Sequence, residues 1–238
     1  MFFVGIDLAW SWRNSSGIAI IEGQRDRATF TRGTGEIRED NEIVDYIITC
    51  TRGKPALIAV DASLIVNNNT GERNVETQLK KMFAPYHAVP YPSNRTLYNR
   101  LYGGLRGERL AKVLEEKGFR HDPFVKRFEP GKKFFEVFPH SAAVVIFKLK
   151  HTLKYKAGKN RDYVFRWQEF EKYQGYLKSL KNRKPSLTMP RYILETDVRE
   201  LKGKALKRYE DLLDAVFCAY KKRGRCVQTF KWLPLNRQ

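Results

Sequence analysis

The stretch Phe2-Phe-Val-Gly-Ile-Asp7, followed by Ser15-Ser-Gly-Ile-Ala-Ile-Ile21 and Arg27-Ala-Thr-Phe-Thr-Arg32, decides the fold class of this chain. The first two are short apolar runs rich in Ile, Val and Phe, and the third alternates apolar and polar residues, so all three read as strands. Turn residues lie between them, Trp12-Arg-Asn-Ser15 before the second and Gly33-Thr-Gly35 at the end of the third. The joins are too short for a crossover, so the three strands form an antiparallel meander. A helix over Asp40 to Thr51 follows, with Ile43, Val44, Ile47 and Ile48 at helical spacing. Pro55 then opens a strand that ends at Asp61, and the intervening helix permits a parallel return.

Residues 73–84 and 95–117 read as helices, separated by a connection containing Pro85, Pro90 and Pro92. Lys133-Phe-Phe-Glu136-Val-Phe138 reads as a fifth strand ended by Pro139. A lysine-rich stretch leads to a basic, aromatic helix around Asp162 to Leu180, and Pro185 and Pro190 break the chain again. The last long helix is expected from about Asp197 to Arg223, with a short closing strand over Val227 to Trp232. The expected class is α/β, a mixed sheet of three antiparallel strands plus parallel strands flanked by helices. That order resembles the ribonuclease H-like core. The chain reads as one such domain over 1–238, with 148–196 as a basic helical insertion before the last core helix.

The 238 residues carry a formal charge of +19 and a sequence pI near 9.9, which implies an anionic partner. The charge is uneven. Residues 1–79 hold 8 basic against 11 acidic side chains, residues 80–133 hold 13 against 5, and residues 148–208 hold 18 against 6. A near-neutral front and a basic middle fit a catalytic core with segments that grip nucleic acid. The three cysteines, Cys50, Cys218 and Cys226, have no Cys-x-x-Cys spacing, which fits a reducing cytoplasm and excludes a zinc site built on them. The amino-terminal stretch lacks the pattern of a signal peptide. No run approaches the roughly 20 apolar residues of a membrane span, so no membrane partner is expected.

The candidate chemistry lies in carboxylates. Asp7 and Asp61 end hydrophobic strands, and Asp211 and Asp214 stand three apart on the last helix, on one face. A carboxylate at the end of a buried strand is costly unless something pairs with it. Four that converge repel one another, and the usual remedy is a divalent cation held by oxygens. Magnesium or manganese suits such a donor set. Two ions about 4 Å apart can activate a water and stabilise the leaving oxygen of a phosphodiester. The expected catalytic set is Asp7, Asp61, Glu136, Asp211 and Asp214, with Asp7, Asp61, Asp211 and Asp214 as metal ligands. Glu136 reads equally as a ligand, as a base that positions water, or as a structural partner of Arg73. His140 is a candidate for proton transfer, although a lone histidine is more often structural. Arg73, Lys154, Lys156 and Arg191 are the candidate contacts to nucleic acid, weighed against a solvated basic loop.

Five pieces occur in order: Gly5-Ile-Asp7-Leu-Ala-Trp10, Ser15-Ser-Gly17, Val60-Asp61-Ala62, Glu136-Val-Phe-Pro139-His140 and Asp211-Leu-Leu-Asp214-Ala215. Together they resemble the DUF429 family, proteins identified as ribonuclease H-like nucleases by prediction. Gly71-Glu-Arg73, Pro92-Ser-Asn94-Arg95 and Lys154-Tyr-Lys156 extend the resemblance. The layout is also similar to the RuvC-like branch of that superfamily. The resemblance implies one acid on the first strand (Asp7), one on the fourth (Asp61) and an Asp-x-x-Asp pair on the last helix (Asp211, Asp214). The branch usually carries glutamate on the fourth strand, where this chain has the shorter aspartate.

Two other functions compete. A non-catalytic nucleic-acid binder would use the same charge, with Tyr155, Tyr163, Phe165, Trp167, Tyr173 and Tyr176 as stacking platforms. An actin-like phosphotransferase shares the Gly-Ile-Asp opening but needs glycine-rich phosphate loops that this chain lacks.

Overall fold

The computed structural model describes residues 1–125 and 129–221. The expected closing strand over Val227 to Trp232, and Cys226, lie outside the described residues. Strands β1 (Phe2–Asp7), β2 (Ser16–Gly23) and β3 (Arg27–Ile37) form an antiparallel meander. Helix α1 (Asp40–Thr51) returns the chain to β4 (Ala56–Asp61), which runs parallel to β1 and sets Asp61 beside Asp7. Helices α2 (Asn74–Phe83), α3 (Arg95–Tyr102) and α4 (Arg106–Glu116) lead to the short β5 (Arg120–His121) and to β6 (Lys133–Glu136), parallel to β4. Helices α5 (Pro139–Phe147) and α6 (Tyr163–Ser179), strand β7 (Ser186–Thr188), the single turn α7 (Arg191–Leu194) and α8 (Gly203–Lys221) complete the described order. The sheet runs β5-β6-β4-β1-β2-β3-β7.

Strand alternation splits the core into two layers. Phe2, Val4, Ile6, Ile58 and Val60 face Ile43, Val44 and Ile47 of α1 and Leu110 and Leu114 of α4. Phe3, Leu57, Ala59 and Phe135 face Phe170 and Leu177 of α6 and Leu213, Val216 and Phe217 of α8. Each fully buried side chain of this size contributes about 1.5–3 kcal/mol.

The second layer depends on close approach. A methyl group at Gly5 would overlap the Ala215 carbonyl oxygen, and one at Gly17 would overlap the Asp211 carbonyl. Gly35 meets the backbone of Arg208 in the same way. Helix α8 therefore lies directly on the backbones of β1, β2 and β3, and its Asp211 and Asp214 are carried down to the level of Asp7.

Several boundaries differ from the sequence reading. Gly33 and Gly35 do not end β3; they make room for α8 while the strand continues to Ile37. The helix expected over 95–117 is two helices, because Gly103, at φ 75°, caps α3 in the left-handed region. Pro139 ends the strand and also begins α5, at the first-turn position where its missing N–H costs nothing. The last helix starts at Gly203 rather than Asp197, whose side chain instead accepts from Arg199 N in a separate 3-10 turn. Residues 148–196 include β7, which pairs with β3, and α6 packs into the same core as the strands.

Candidate active site

Asp7 and Asp61 end neighbouring parallel strands as register partners, so their side chains leave the sheet on the same face, toward α8. Together with Asp211 they line a cavity of about 690 Å³. Asp214, 1% exposed, does not line that cavity; its charge raises the pKa of Asp7 from below.

The acids are held in unequal states. The Asp7 carboxyl lies within hydrogen-bonding reach of Asp211. Asp211 Oδ1 pairs with Lys207 Nζ, while its Oδ2 is buried and takes no hydrogen bond from a neighbouring N–H or O–H. Burial first, and then the charge of Asp7, push Asp211 up to about 8, against the pull of Lys207. Burial also raises Asp7; Lys156 opposes that shift and Asp214 adds to it. At neutral pH this pair holds a proton. Asp214 behaves differently. Burial raises its pKa, but Lys156, His140 and the Tyr155 hydroxyl outweigh burial and hold it below the usual carboxylate range. Tyr155 Oη donates to Asp214 Oδ1 at 2.6 Å. Lys156 Nζ stands 2.8 Å from Oδ2 as an ion pair.

Lys156 is therefore the centre of the cluster rather than a surface contact. Burial disfavours its charge, yet Asp214, Asp7, Glu210 and Asp61 together raise its pKa well above the ordinary lysine value. His140, on the first turn of α5, lines the cavity beside it. Burial and the Lys156 charge lower His140 to about 4, so its imidazole is neutral at pH 7. Its Nδ1 lies 3.4 Å from Thr152 Oγ1.

Two of the remaining candidates, Glu136 and Arg73, line the same cavity but are bound to each other. Glu136 is the register partner of Val60, not of Asp61, so alternation turns it toward the opposite face from Asp7. Arg73 grips it there with two hydrogen bonds, at 2.9 and 2.6 Å, and Leu64 N donates to it as well. The same guanidinium bonds Glu76 at 2.8 Å and the Ile65 carbonyl. Arg73 therefore makes four side-chain hydrogen bonds inside the protein, and it ties the β4–α2 connection to β6. Lys154 and Arg191 do not line the cavity. Lys154 donates its backbone N–H to Glu169, and Arg191, on α7, pairs with Glu195 at 2.8 Å. Of the aromatics expected as stacking platforms, Tyr155 and Tyr173 are core residues, 4% and 2% exposed, and cannot reach a base.

Lys207, four residues before Asp211, is its expected helical partner, and the pair forms. Two groups of cavity residues were not singled out from the sequence. Arg13, Arg38, Lys204 and Arg208 supply, with Lys207, a basic margin on the side of β3 and α8. Trp10, Tyr91, Tyr98 and Tyr102 supply an aromatic wall on the side of α3. The loop carrying Trp10 is pinned by Arg106, 1% exposed, which bonds Asp40 at 2.9 Å, the carbonyls of Ala9 at 3.0 Å and Ser11 at 3.3 Å, and the carbonyl of Arg38. The signal for the wall was the pair Trp10 and Trp12 in a turn, where a large apolar residue has no core to enter.

Oxygen donors that crowd around a cavity, one of them without a hydrogen-bond donor, suit a hard divalent cation at Asp7 and Asp211, with Asp61 beside them. Asp214 fits less well, since Tyr155 and Lys156 already engage both of its oxygens. Among the described residues no group of three or more His, Cys, Asp and Glu side chains is arranged to hold an ion. Nor, among those residues, is any helix long and apolar enough to cross a membrane.

The molecule is thus a mixed α/β protein with an acid cluster at the ends of its central parallel strands. The chain belongs to the family described as "Protein of unknown function (DUF429)", whose model matches residues 5–229. No curated protein matches it in sequence.

Proposed function

We propose that this protein is a metal-dependent phosphodiester hydrolase acting on nucleic acid, built on a ribonuclease H-like core. The strand order β3-β2-β1-β4-β6 within the sheet supports the fold assignment. One observation carries the activity. Asp7 and Asp61, side by side on parallel strands, meet Asp211 from α8 in a cavity with a basic margin. Acids at a phosphate-binding surface would only repel the phosphate, and burial of Asp7 and Asp211 raises their pKa at a cost to folding.

Asp7 and Asp211, with Asp61, are the residues that would hold magnesium or manganese. Such an ion supplies an activated water and charge stabilisation at the departing oxygen. The chain's own groups do the rest. Lys207, Lys204 and Arg208 attract the phosphate backbone and position it over the acids. Lys156, fixed by Asp214, places a permanent positive charge beside the site where negative charge develops. His140 is held neutral and lines the same cavity, where its low pKa makes it a weak base suited to orienting a water by hydrogen bonding rather than to taking its proton.

The test is cleavage of labelled DNA, RNA, hybrid and branched substrates in manganese, with Asp7→Asn as control. Cleavage by the parent that disappears in Asp7→Asn supports the reading. A folded Asp7→Asn protein that cleaves at the parent rate refutes it. A parent that binds in a salt-dependent way and cleaves nothing leaves the non-catalytic binder.

A further inference from the structure

The aromatic wall of the cavity is unusual in its exposure. Trp10 is 39% and Tyr91 74% exposed, although both are large and apolar and the core lies close by. The indole of Trp10 meets Tyr91 edge-on at 5.8 Å and 84°, and meets Tyr102 at 5.3 Å and 71°. Tyr98, buried, lies tilted at 6.1 Å and 39°. None of these neighbours is parallel to the indole, so none of them covers its face in a stack. Trp10 follows Asp7 by three residues, and Arg106 fixes the intervening carbonyl of Ala9. The ring is thus held at a set distance from the acids before any ligand arrives.

We propose that Trp10 and Tyr91, backed by Tyr102, form a stacking subsite for an unpaired nucleobase, so that the substrate strand enters the cavity single-stranded. This rests on the hydrolase reading for its location and names the substrate class of that site. Charge complementarity identifies the occupant. The same cavity is lined by these aromatics and by Arg13, Arg38, Lys204 and Arg208, the last paired with Glu36 at 2.7 Å. A nucleotide pairs a flat base with an anionic phosphate, and bases stack on aromatic side chains largely without regard to sequence. A base pair in a duplex keeps its faces covered by its neighbours and cannot enter this wall without unstacking.

The experiment measures binding without cleavage. A labelled oligothymidylate and a labelled duplex of mixed sequence are titrated in EDTA at fixed salt with the parent, Trp10→Ala, Tyr91→Ala and Trp10→Phe. Circular dichroism and thermal melting check that each variant is folded. Tighter binding of the single strand is expected, with roughly 10-fold or greater loss in Trp10→Ala. Duplex affinity should change little, and Trp10→Phe should recover most of the loss. Quenching of the parent's tryptophan fluorescence by the single strand should weaken in Trp10→Ala. A folded Trp10→Ala that binds the single strand as the parent does overturns the subsite. So does a parent that binds neither probe, or an equal loss on both probes. Asp7-dependent cleavage that ignores Trp10 overturns the subsite and keeps the hydrolase. Trp10-dependent binding by a parent that cleaves nothing does the reverse.

Discussion

Replacing Asp211 with asparagine should stabilise the fold, by an amount that grows with pH. Asp211 is 3% exposed, and its Oδ2 has no donor. Its pKa stands at about 8 in the folded chain against 3.8 for the free side chain, first through burial and then through Asp7, with Lys207 opposing. Between those two values the folded state holds a proton that the unfolded state has released. The unfolded state binds fewer protons in that window, so unfolding free energy falls as pH rises through it. The contribution is complete below 3.8 and lost by about pH 8. Each unit is worth about 1.4 kcal/mol, which sets a ceiling of roughly 5–6 kcal/mol. Asparagine is neutral at every pH, matches the protonated acid in shape, and offers an N–H to Asp7. Lys207 loses Asp211 but keeps Glu210 in the exchange, and the expected net gain at pH 8 is about 1.5–3 kcal/mol, the usual scale for a hydrogen bond to a charged group. Urea unfolding in EDTA at intervals from pH 4.5 to pH 8.5 measures it. The midpoint of Asp211→Asn should separate from the parent's progressively, with the slope unchanged. Added magnesium should narrow the gap by stabilising the parent. A gap that stays constant with pH, or a variant less stable than the parent at pH 8, refutes the account of a shared proton.

Arg106→Ala leaves Asp40 buried without its main partner and frees four carbonyls, those of Ala9, Ser11, Asn14 and Arg38. A loss of about 3–5 kcal/mol is expected in chemical denaturation, and Arg106→Lys should not restore it, since an ammonium lacks the guanidinium's fork. Unchanged stability would show that the arginine is not the anchor. Lys156→Met removes the charge that helps hold His140 near 4, so the imidazole pKa, followed by proton NMR, should rise toward its ordinary value. An unmoved His140 would place Lys156 too far from it to matter.

The central strands were legible because burial on both sheet faces demands apolar runs, and Phe2–Asp7 and Ala56–Asp61 have almost nothing else. Helix α1 was legible because its apolar residues recur at helical spacing. Helix α5 was hidden for the opposite reason: Pro139-His-Ser-Ala-Ala-Val-Val-Ile-Phe147 is so apolar that its periodicity carries little signal. The glycines of β3 have two physical meanings, turn or close approach, and sequence alone favours the first. At the site, the acids declare themselves by being charged where their neighbours are not. Their partners do not. Lys156 is one of many lysines in its segment, and its inward direction depends on Tyr155 beside it reaching Asp214 across 59 residues of chain. Glu136 had several readings, and its one-residue offset from Asp61 in the parallel register gives it to Arg73 while it still lines the cavity.

The arrangement of α8 gives the strongest reason to connect this cluster with function. Bare backbone at Gly5, Gly17 and Gly35 lets the helix sit closer than any side chain would permit. A fold seeking stability alone would not use that closeness to press Asp211 against Asp7, because like charges in a buried site cost free energy. An apolar pair in their place would pack at no electrostatic cost. The basic segment after α5 answers part of the cost with Lys156, and α8 itself answers another part with Lys207. Those cations neutralise Asp214 and one oxygen of Asp211, yet they leave Asp211 Oδ2 without a donor and the Asp7–Asp211 pair holding a proton at neutral pH. Local rules broken at one point, within a core that otherwise obeys them, mark a functional site. What that point lacks is positive charge at oxygen donors, beside a cavity whose lining also includes basic and aromatic side chains. That is the charge the proposed divalent cation would supply.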